Sequence, residues 1–289
     1  MSVIRNLARR SEAFPGSTVT VLLRPSTIHS REPDKQRDIA ELRAMGIDLL
    51  PGDLAADSVT DLAALFSRFH TVVSCTGFVG GKGVQLKLAR AALEAGVKRY
   101  FPWQFGVDYD AIGRGSPQDL FDEQLDVREL LRSQSETEWV IVSTGMFTSF
   151  LFEPSFGVVD LEKNTVNALG SWDNAVTATT PEDIGNLTAE ILFAVPRISN
   201  EIVYTAGDTL TYWRLADTVD EVLGRQVQRV EWDMPLLSKE LAGEPDSPIR
   251  KYRAVFGEGK GVAWDKDQTF NAQLGIEVLG VEGWMRKNL

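Results

Sequence analysis

The sequence predicts an α/β fold: a doubly wound parallel sheet covered by helices on both faces, followed by a small α+β C-terminal region. Three observations point there. Short β-branched, apolar runs recur through residues 1–150, stretches with helical period alternate with them, and the connections between are short. Beyond residue 150 the alternation loosens, so residues 1–150 form the expected first domain and residues 151–289 a covering region interleaved with it.

The elements follow in order. Val3, Leu7 and Ala8 make a helical stripe that Phe14-Pro15-Gly16 ends. Residues 18–23 (TVTVLL) read as a strand buried on both faces. Residues 34–45 read as a helix closed by Gly46, and 47–50 as a strand. Ser58 opens a helix with Val59, Leu62, Ala63 and Phe66 on one stripe. A strand at 71–75, a glycine-rich loop at 76–83 and a helix at 84–95 follow, then a strand at 99–101, a helix at 119–132 and a strand at 139–143. A strand near 200–205 and a helix over 212–223 are expected later, whereas 236–248, with two prolines, a glycine and several acids, reads as a mobile loop.

Composition removes several function classes. The chain has 289 residues, 43% hydrophobic and 25% charged, as expected of a protein with a substantial core. Forty-one acidic against 30 basic residues give a net charge of −11, which repels a phosphate backbone and argues against nucleic acid as a partner. A single cysteine, Cys75, and two histidines offer no disulfide and no soft-metal site, so no metal is expected. No apolar run reaches the ~20 residues that span a bilayer, so no membrane partner is expected either. The arginine-rich start, MSVIRNLARRSEAF, reads as a first helix or as a transit peptide; because it runs at once into a strand, a cytoplasmic protein is the expectation.

In parallel sheets ligands bind beyond the carboxyl ends of the strands. Here those ends are Arg24, Asp53-Leu54, Thr76-Gly77-Phe78, residues 102–106 and residues 144–147. A Rossmann-type sheet opens with a strand, a G-x-G-x-x-G turn and a helix that receives a pyrophosphate. This chain opens on the helix, and the turn occurs nowhere upstream of it. The expectation is a sheet with its first strand absent, either because the sequence lacks about 15 residues of the usual pattern, which is the favoured reading, or because it is a natural variant without a pyrophosphate cradle. The cluster at 77–83 (GFVGGKG) has the wrong spacing for a P-loop; it is either a backbone passing close to a cofactor or a flexible turn.

Seven segments in order carry a resemblance: VLLRPS at 21–26, GIDLLPGDL at 46–54, VVSCTG at 72–77, AGVKRYFPWQFG at 95–106, FDEQLDVR at 121–128, WVIVSTGMF at 139–147 and TPEDI at 180–184. Together they make the chain similar to the isoflavone reductase-like, NmrA-like branch of atypical short-chain dehydrogenases, over nearly its whole length. The resemblance implies an NADPH-dependent reductase of a small aromatic, phenolic or polyketide-like metabolite, an oxidoreductase of secondary metabolism. Some family members are instead non-catalytic dinucleotide sensors that act through a protein partner, which is the alternative. The family's frequent dimers make a homodimer an option by analogy.

The resemblance also implies roles. Arg24 stands where the NADPH 2′-phosphate is read, and its planar fork suits a dianion; a solvated loop arginine is the plainer reading. Arg24 favours NADP(H) over NAD(H), with Arg31 or Lys35 as a second cationic contact. Thr76, Gly77 and Phe78 line the adenine–ribose side, Gln85 lies near the phosphates, and Pro102, Trp103, Gln104 and Phe105 near the nicotinamide. Trp103 and Gln104 depart from the family's Ser-Glu, and Trp103 reads equally as a core residue. The larger departure is at Gln124, which replaces the lysine of the family's Phe-x-x-Lys-x-x-x-Arg helix. An amide orients an oxygen but supplies no proton. Asp108, Tyr109 or a water are the candidates for that task, although Asp108 and Tyr109 read first as loop-surface residues. Met146, Phe147 and Phe150 form either a wall for a flat substrate or a packing seam.

Overall fold

A computed structural model describes residues 1–289 apart from the side chain of Val79. It opens with α1 (Ser2–Ser11), β1 (Thr20–Leu23), α2 (Pro25–Ile28), α3 (Pro33–Ala44), β2 (Asp48–Pro51) and α4 (Val59–Phe66). Then come β3 (Thr71–Val73), α5 (Val84–Glu94), β4 (Arg99–Phe101), α6 (Tyr109–Ile112), α7 (Leu120–Arg132) and β5 (Glu138–Ser143). Short strands follow as β6 (Met146–Phe147), β7 (Val159–Asp160), β8 (Thr165–Gly170) and β9 (Ala175–Thr179), then α8 (Pro181–Leu192), β10 (Glu201–Tyr204) and β11 (Asp208–Thr211). The chain ends with α9 (Tyr212–Leu223), β12 (Gln228–Asp233), α10 (Met234–Gly243), α11 (Pro248–Glu258), α12 (Phe270–Gln273) and α13 (Val281–Asn288). One four-stranded sheet has the order β10-β5-β4-β3, and the pairs β3–β4 and β4–β5 are parallel. This is the α/β fold with a parallel sheet that the alternation predicted.

The chain divides into two compact units: residues 1–103 with 126–141 and 185–201, and residues 104–125 with 142–184 and 202–289. In the first unit β1 and β2 pair in parallel, from Thr20 opposite Asp48 to Leu23 opposite Pro51. Ala8, Ile39, Leu42 and Ile47 make a small core against Val19, Val21 and Leu23 of this pair. Helix α4 starts where the sequence signals it: Ser58 and Asp61 form a reciprocal capping box, and Leu62, Ala63 and Phe66 are buried. It packs against α5, whose Leu88, Ala89, Ala91 and Ala92 are buried. Gly83 caps α5 at φ +91°, a conformation that side chains with a Cβ disfavour.

No strand lies between β1 and β3 among the described residues. A cavity of about 840 Å³ stands there instead, lined by β1, by residues 70–76, by Val3, Ile4 and Leu7 of α1 and by residues 192–195. This corrects one expectation: β1 is half-buried rather than buried on both faces, because one of its edges looks into this space.

The second unit holds two three-stranded sheets, β11-β9-β6 and β12-β8-β7. Residues 236–248, expected as a loop, are largely helical. Asp233 accepts from the Leu236 N–H to cap α10, and Ser247 caps α11 by accepting from the Arg250 N–H. Pro235 and Pro248 sit in the first turns, where a missing N–H costs nothing, so they start these helices rather than break them. Stability of the first unit should reflect its caps. Ser58→Ala is expected to lower the unfolding free energy by about 1 kcal/mol in urea denaturation, and an unchanged midpoint would contradict the capping-box account.

Candidate functional site

In the first unit the strands' carboxyl ends gather the cofactor-side residues. Arg24 leaves β1, is exposed, and opens α2. Its charge reaches Asp53, whose carboxyl is held below the usual range chiefly by the Ala55 and Ala56 N–H groups and secondarily by Arg24 and Lys87. Lys87 itself donates to the Ala55 and Asp57 carbonyls at 3.0 and 3.1 Å. Arg31 is exposed, and Lys35 pairs with Glu32 at 2.9 Å, so its ammonium is already engaged.

After β3 the chain turns sharply through Gly77–Gly80. Gln85, on the first turn of α5, ties this turn down: its Nε2 donates to the Gly77 carbonyl at 2.6 Å and to Thr76 Oγ1 at 3.3 Å. Its Oε1 is buried without a hydrogen-bond partner among the described residues. Gly77 stands at φ +62°, and a Cβ there would lie 3.7 Å from the Trp103 indole. Phe78 meets the same indole edge to face at 4.6 Å. The structure therefore brings Thr76, Gly77, Phe78, Gln85 and Trp103 together, with Pro102 buried beside them in sequence. Trp103 is half-buried and serves as packing for the turn.

In the second unit Gln104 and Phe105 are buried, and Gln104 Nε2 donates to the Gln124 carbonyl at 2.9 Å. Gln124 is fully buried on α7, yet neither its Nε2 nor its Oε1 has a hydrogen-bond partner among the described residues. A buried amide left unmatched costs about 1–3 kcal/mol, and such groups are rare in native interiors. Asp108 Oδ1 caps α6 by accepting from the Asp110 and Ala111 N–H groups, and its Oδ2 accepts from Tyr204 Oη at 2.9 Å. Tyr109 is only 2% exposed, which corrects the loop-surface reading: it opens α6 and packs edge to face on Phe121 at 4.9 Å.

An aromatic series continues from there. Phe121 meets Tyr252, Tyr252 meets Phe150, and Phe150 stacks on Phe156 at 4.5 Å. Met146 is buried and Phe147 half-buried. Sequence reasoning missed Tyr252, although Tyr252, Val255 and Phe256 recur at helical spacing along α11 and carried the signal. It also missed Tyr204 and Trp264, which with Asp108, Gly261 and Asp265 line a cavity of about 240 Å³. Burial pushes the Tyr252 hydroxyl up to about 12. No group of three or more His, Cys, Asp or Glu that could hold a metal occurs among the described residues, and no helix there is long and apolar enough to cross a membrane.

Two outcomes follow from these burials. Gln124→Leu, which replaces the unmatched amide by an apolar group of similar length, is expected to leave stability unchanged or raise it by about 1 kcal/mol, whereas a loss above that would mean the amide has a partner. Tyr252 is neutral when protonated, and its folded value lies above its unfolded one. Its contribution is therefore intact below about pH 10 and is lost as pH rises toward 12. Denaturation of the protein and of Tyr252→Phe across that window should show a shallower decline in the variant; identical slopes would contradict it.

Residues 1–264 match the profile of the NmrA-like family. A Gibberella moniliformis protein named NmrA-like family domain-containing oxidoreductase is 51% identical over 93% of this chain and 88% of its own length. Phenylcoumaran benzylic ether reductase 1 of Arabidopsis thaliana is 26% identical over 91% of this chain and 86% of its own. Among solved structures, an isoflavone reductase superposes with TM-score 0.80 at 19% identity, covering 99% of this chain and 96% of that one. The binary complex of leucoanthocyanidin reductase with NADPH from Vitis vinifera gives TM-score 0.77 at 20% identity, with 98% and 94% covered.

Proposed function

The chain belongs to the NmrA-like family, and from that premise we propose that it is an NADPH-dependent reductase of a small aromatic or phenolic metabolite. The observation that carries this reading is Arg24, an exposed guanidinium at the carboxyl end of a parallel strand, where dinucleotide ribose is recognised. The relatives support the class: one is named an oxidoreductase, another a benzylic ether reductase, and one related fold was solved with NADPH.

Residues 1–150 would hold the dinucleotide and residues 151–289 would cover the substrate. Arg24 would take the 2′-phosphate in its planar fork, with Arg31 and, once freed from Glu32, Lys35 as further cations. Thr76, Gly77 and Phe78 would receive the adenine–ribose side; the buried, unmatched Gln85 Oε1 fits a hydroxyl donor there. Pro102, Trp103, Gln104 and Phe105 would bound the nicotinamide. When bound, the cofactor supplies the hydride. On the substrate side Met146, Phe147 and Phe150 would offer ring faces, and Gln124 would turn its unmatched amide to a substrate oxygen, holding but not protonating it. The proton would then come from Tyr109, Asp108 or water.

Gln124 also favours a second reading, a dinucleotide-binding regulator without turnover that acts through a protein partner. Titration with NADPH and NADH, together with NADPH oxidation against a phenolic panel, separates the two. Arg24→Ala is expected to weaken NADPH binding by tenfold or more while leaving NADH binding within about twofold. Equal loss for both would remove Arg24 from phosphate recognition. Tight NADPH binding with no oxidation across the panel would favour the regulator.

A further inference from the structure

The cavity of about 240 Å³ beside Asp108 has a chemical bias of its own. Its walls include two rings, Tyr204 and Trp264, and two carboxylates, Asp108 and Asp265, while no Lys, Arg or His lines it among the described residues. The ring centroids lie 5.1 Å apart with their planes at 68°, so the rings form a corner rather than a stack. Their polar ends are already spent. Tyr204 Oη donates to Asp108 Oδ2 at 2.9 Å, and Trp264 Nε1 donates to the Thr205 carbonyl at 3.2 Å. What the two rings offer an occupant is π surface.

Backbone contacts fix the carboxylates against this corner. Asp108 N–H donates to the Gly261 carbonyl at 2.8 Å. That close approach needs glycine: φ is +69°, and a Cβ would lie 2.7 Å from the Asp108 carbonyl oxygen. Asp108 Oδ1 accepts from the Asp110 and Ala111 N–H groups at 3.1 and 3.3 Å, and Asp265 Oδ1 accepts from the Asp267 N–H at 3.0 Å. Both acids are therefore set in place before any ligand arrives. Asp108, Tyr204 and Trp264 are half-buried, so the charge of Asp108 is less screened than in open water.

We propose that this cavity binds a small organic ammonium with a methylated nitrogen, held between the Tyr204–Trp264 corner and the carboxylates of Asp108 and Asp265. Ring faces and carboxylates attract the same sign of charge. The volume falls below the ~300–1,000 Å³ of sites for drug-sized ligands, so the occupant is small. A divalent metal is the wrong cation, because a hard ion takes about six to eight oxygens and those of Asp108 are already engaged. A primary ammonium carries three donors that need acceptors, whereas methyl groups need none and pack on the rings, Ala111 and Ala263. The proposal concerns this cavity alone and stands whether or not the protein is a reductase.

The probe is choline, titrated into the full chain and followed by NMR of the amide and indole N–H groups. The control is the neutral alcohol in which a carbon replaces the choline nitrogen. Saturable shifts are expected at the Trp264 indole and at the Gly261 and Asp265 amides, with choline bound about tenfold or more tighter than the alcohol. Trp264→Leu should weaken choline by about tenfold or more. Asp265→Asn, which keeps an oxygen for the Asp267 N–H, should weaken choline by about threefold or more and leave the alcohol within about twofold. If Trp264→Leu does not fold, the alcohol and Asp265→Asn decide. Equal affinity for choline and the alcohol would make the cavity merely apolar and overturn the proposal. So would displacement of choline by an equal concentration of calcium, unchanged choline affinity in Asp265→Asn, or no saturable shift at tens of millimolar choline.

Discussion

Every interior strand of a parallel sheet has two rows of backbone groups to satisfy, and β1 and β3 each satisfy one. That constraint organises the first unit. It makes β1 half-buried although Val21, Leu22 and Leu23 are apolar, and it opens a cavity walled in part by backbone edges. The apolar stripe of α1, Val3, Ile4 and Leu7, lines that cavity, while Ile4 and Ala8 also pack in the cluster with Val21 and Leu23 of β1. A sheet edge of this kind is normally blunted by charge, proline or a bulge.

The same logic of unmatched polar groups marks the proposed chemical site. Gln85 uses its amide nitrogen to pin the turn at Gly77 and leaves its oxygen bare, while Gln124 leaves both ends bare in full burial. Folding alone gives no return for such groups, since an apolar side chain of equal size would serve the interior better. A ligand that supplies the missing donors and acceptors would account for their retention. Asp108 differs: its carboxylate is already divided between the α6 cap and Tyr204, so it holds structure as it stands.

Much of the architecture could be read from sequence where local signals agree. Ser58 announced α4, and Gly96 closed α5 as expected. The helix expected over 212–223 is found there, closed by Gly224 in the left-handed conformation. Misreadings came where one residue type has two meanings. Pro248 looked like a breaker because proline inside a helix is one, yet at a first turn behind Ser247 it is favoured, and only Pro245 stands in the turn between α10 and α11. Tyr109 looked exposed because its neighbours are polar, and only the packing on Phe121 buries it. On the site, strand-end arginine and glycine are visible in sequence because they mark a place in the fold. The isolation of the Gln124 amide is not, since it depends on which distant groups fail to reach it.

The account turns on the single pairing of β1 and of β3, and amide hydrogen exchange of the chain alone, resolved residue by residue by NMR, tests it most directly. Protection should alternate along both strands: Val21, Leu23, Val72 and Ser74 slow, and Thr20, Leu22, Thr71 and Val73 fast. Uniform protection of all eight would mean that both inner edges are already paired, which contradicts the account.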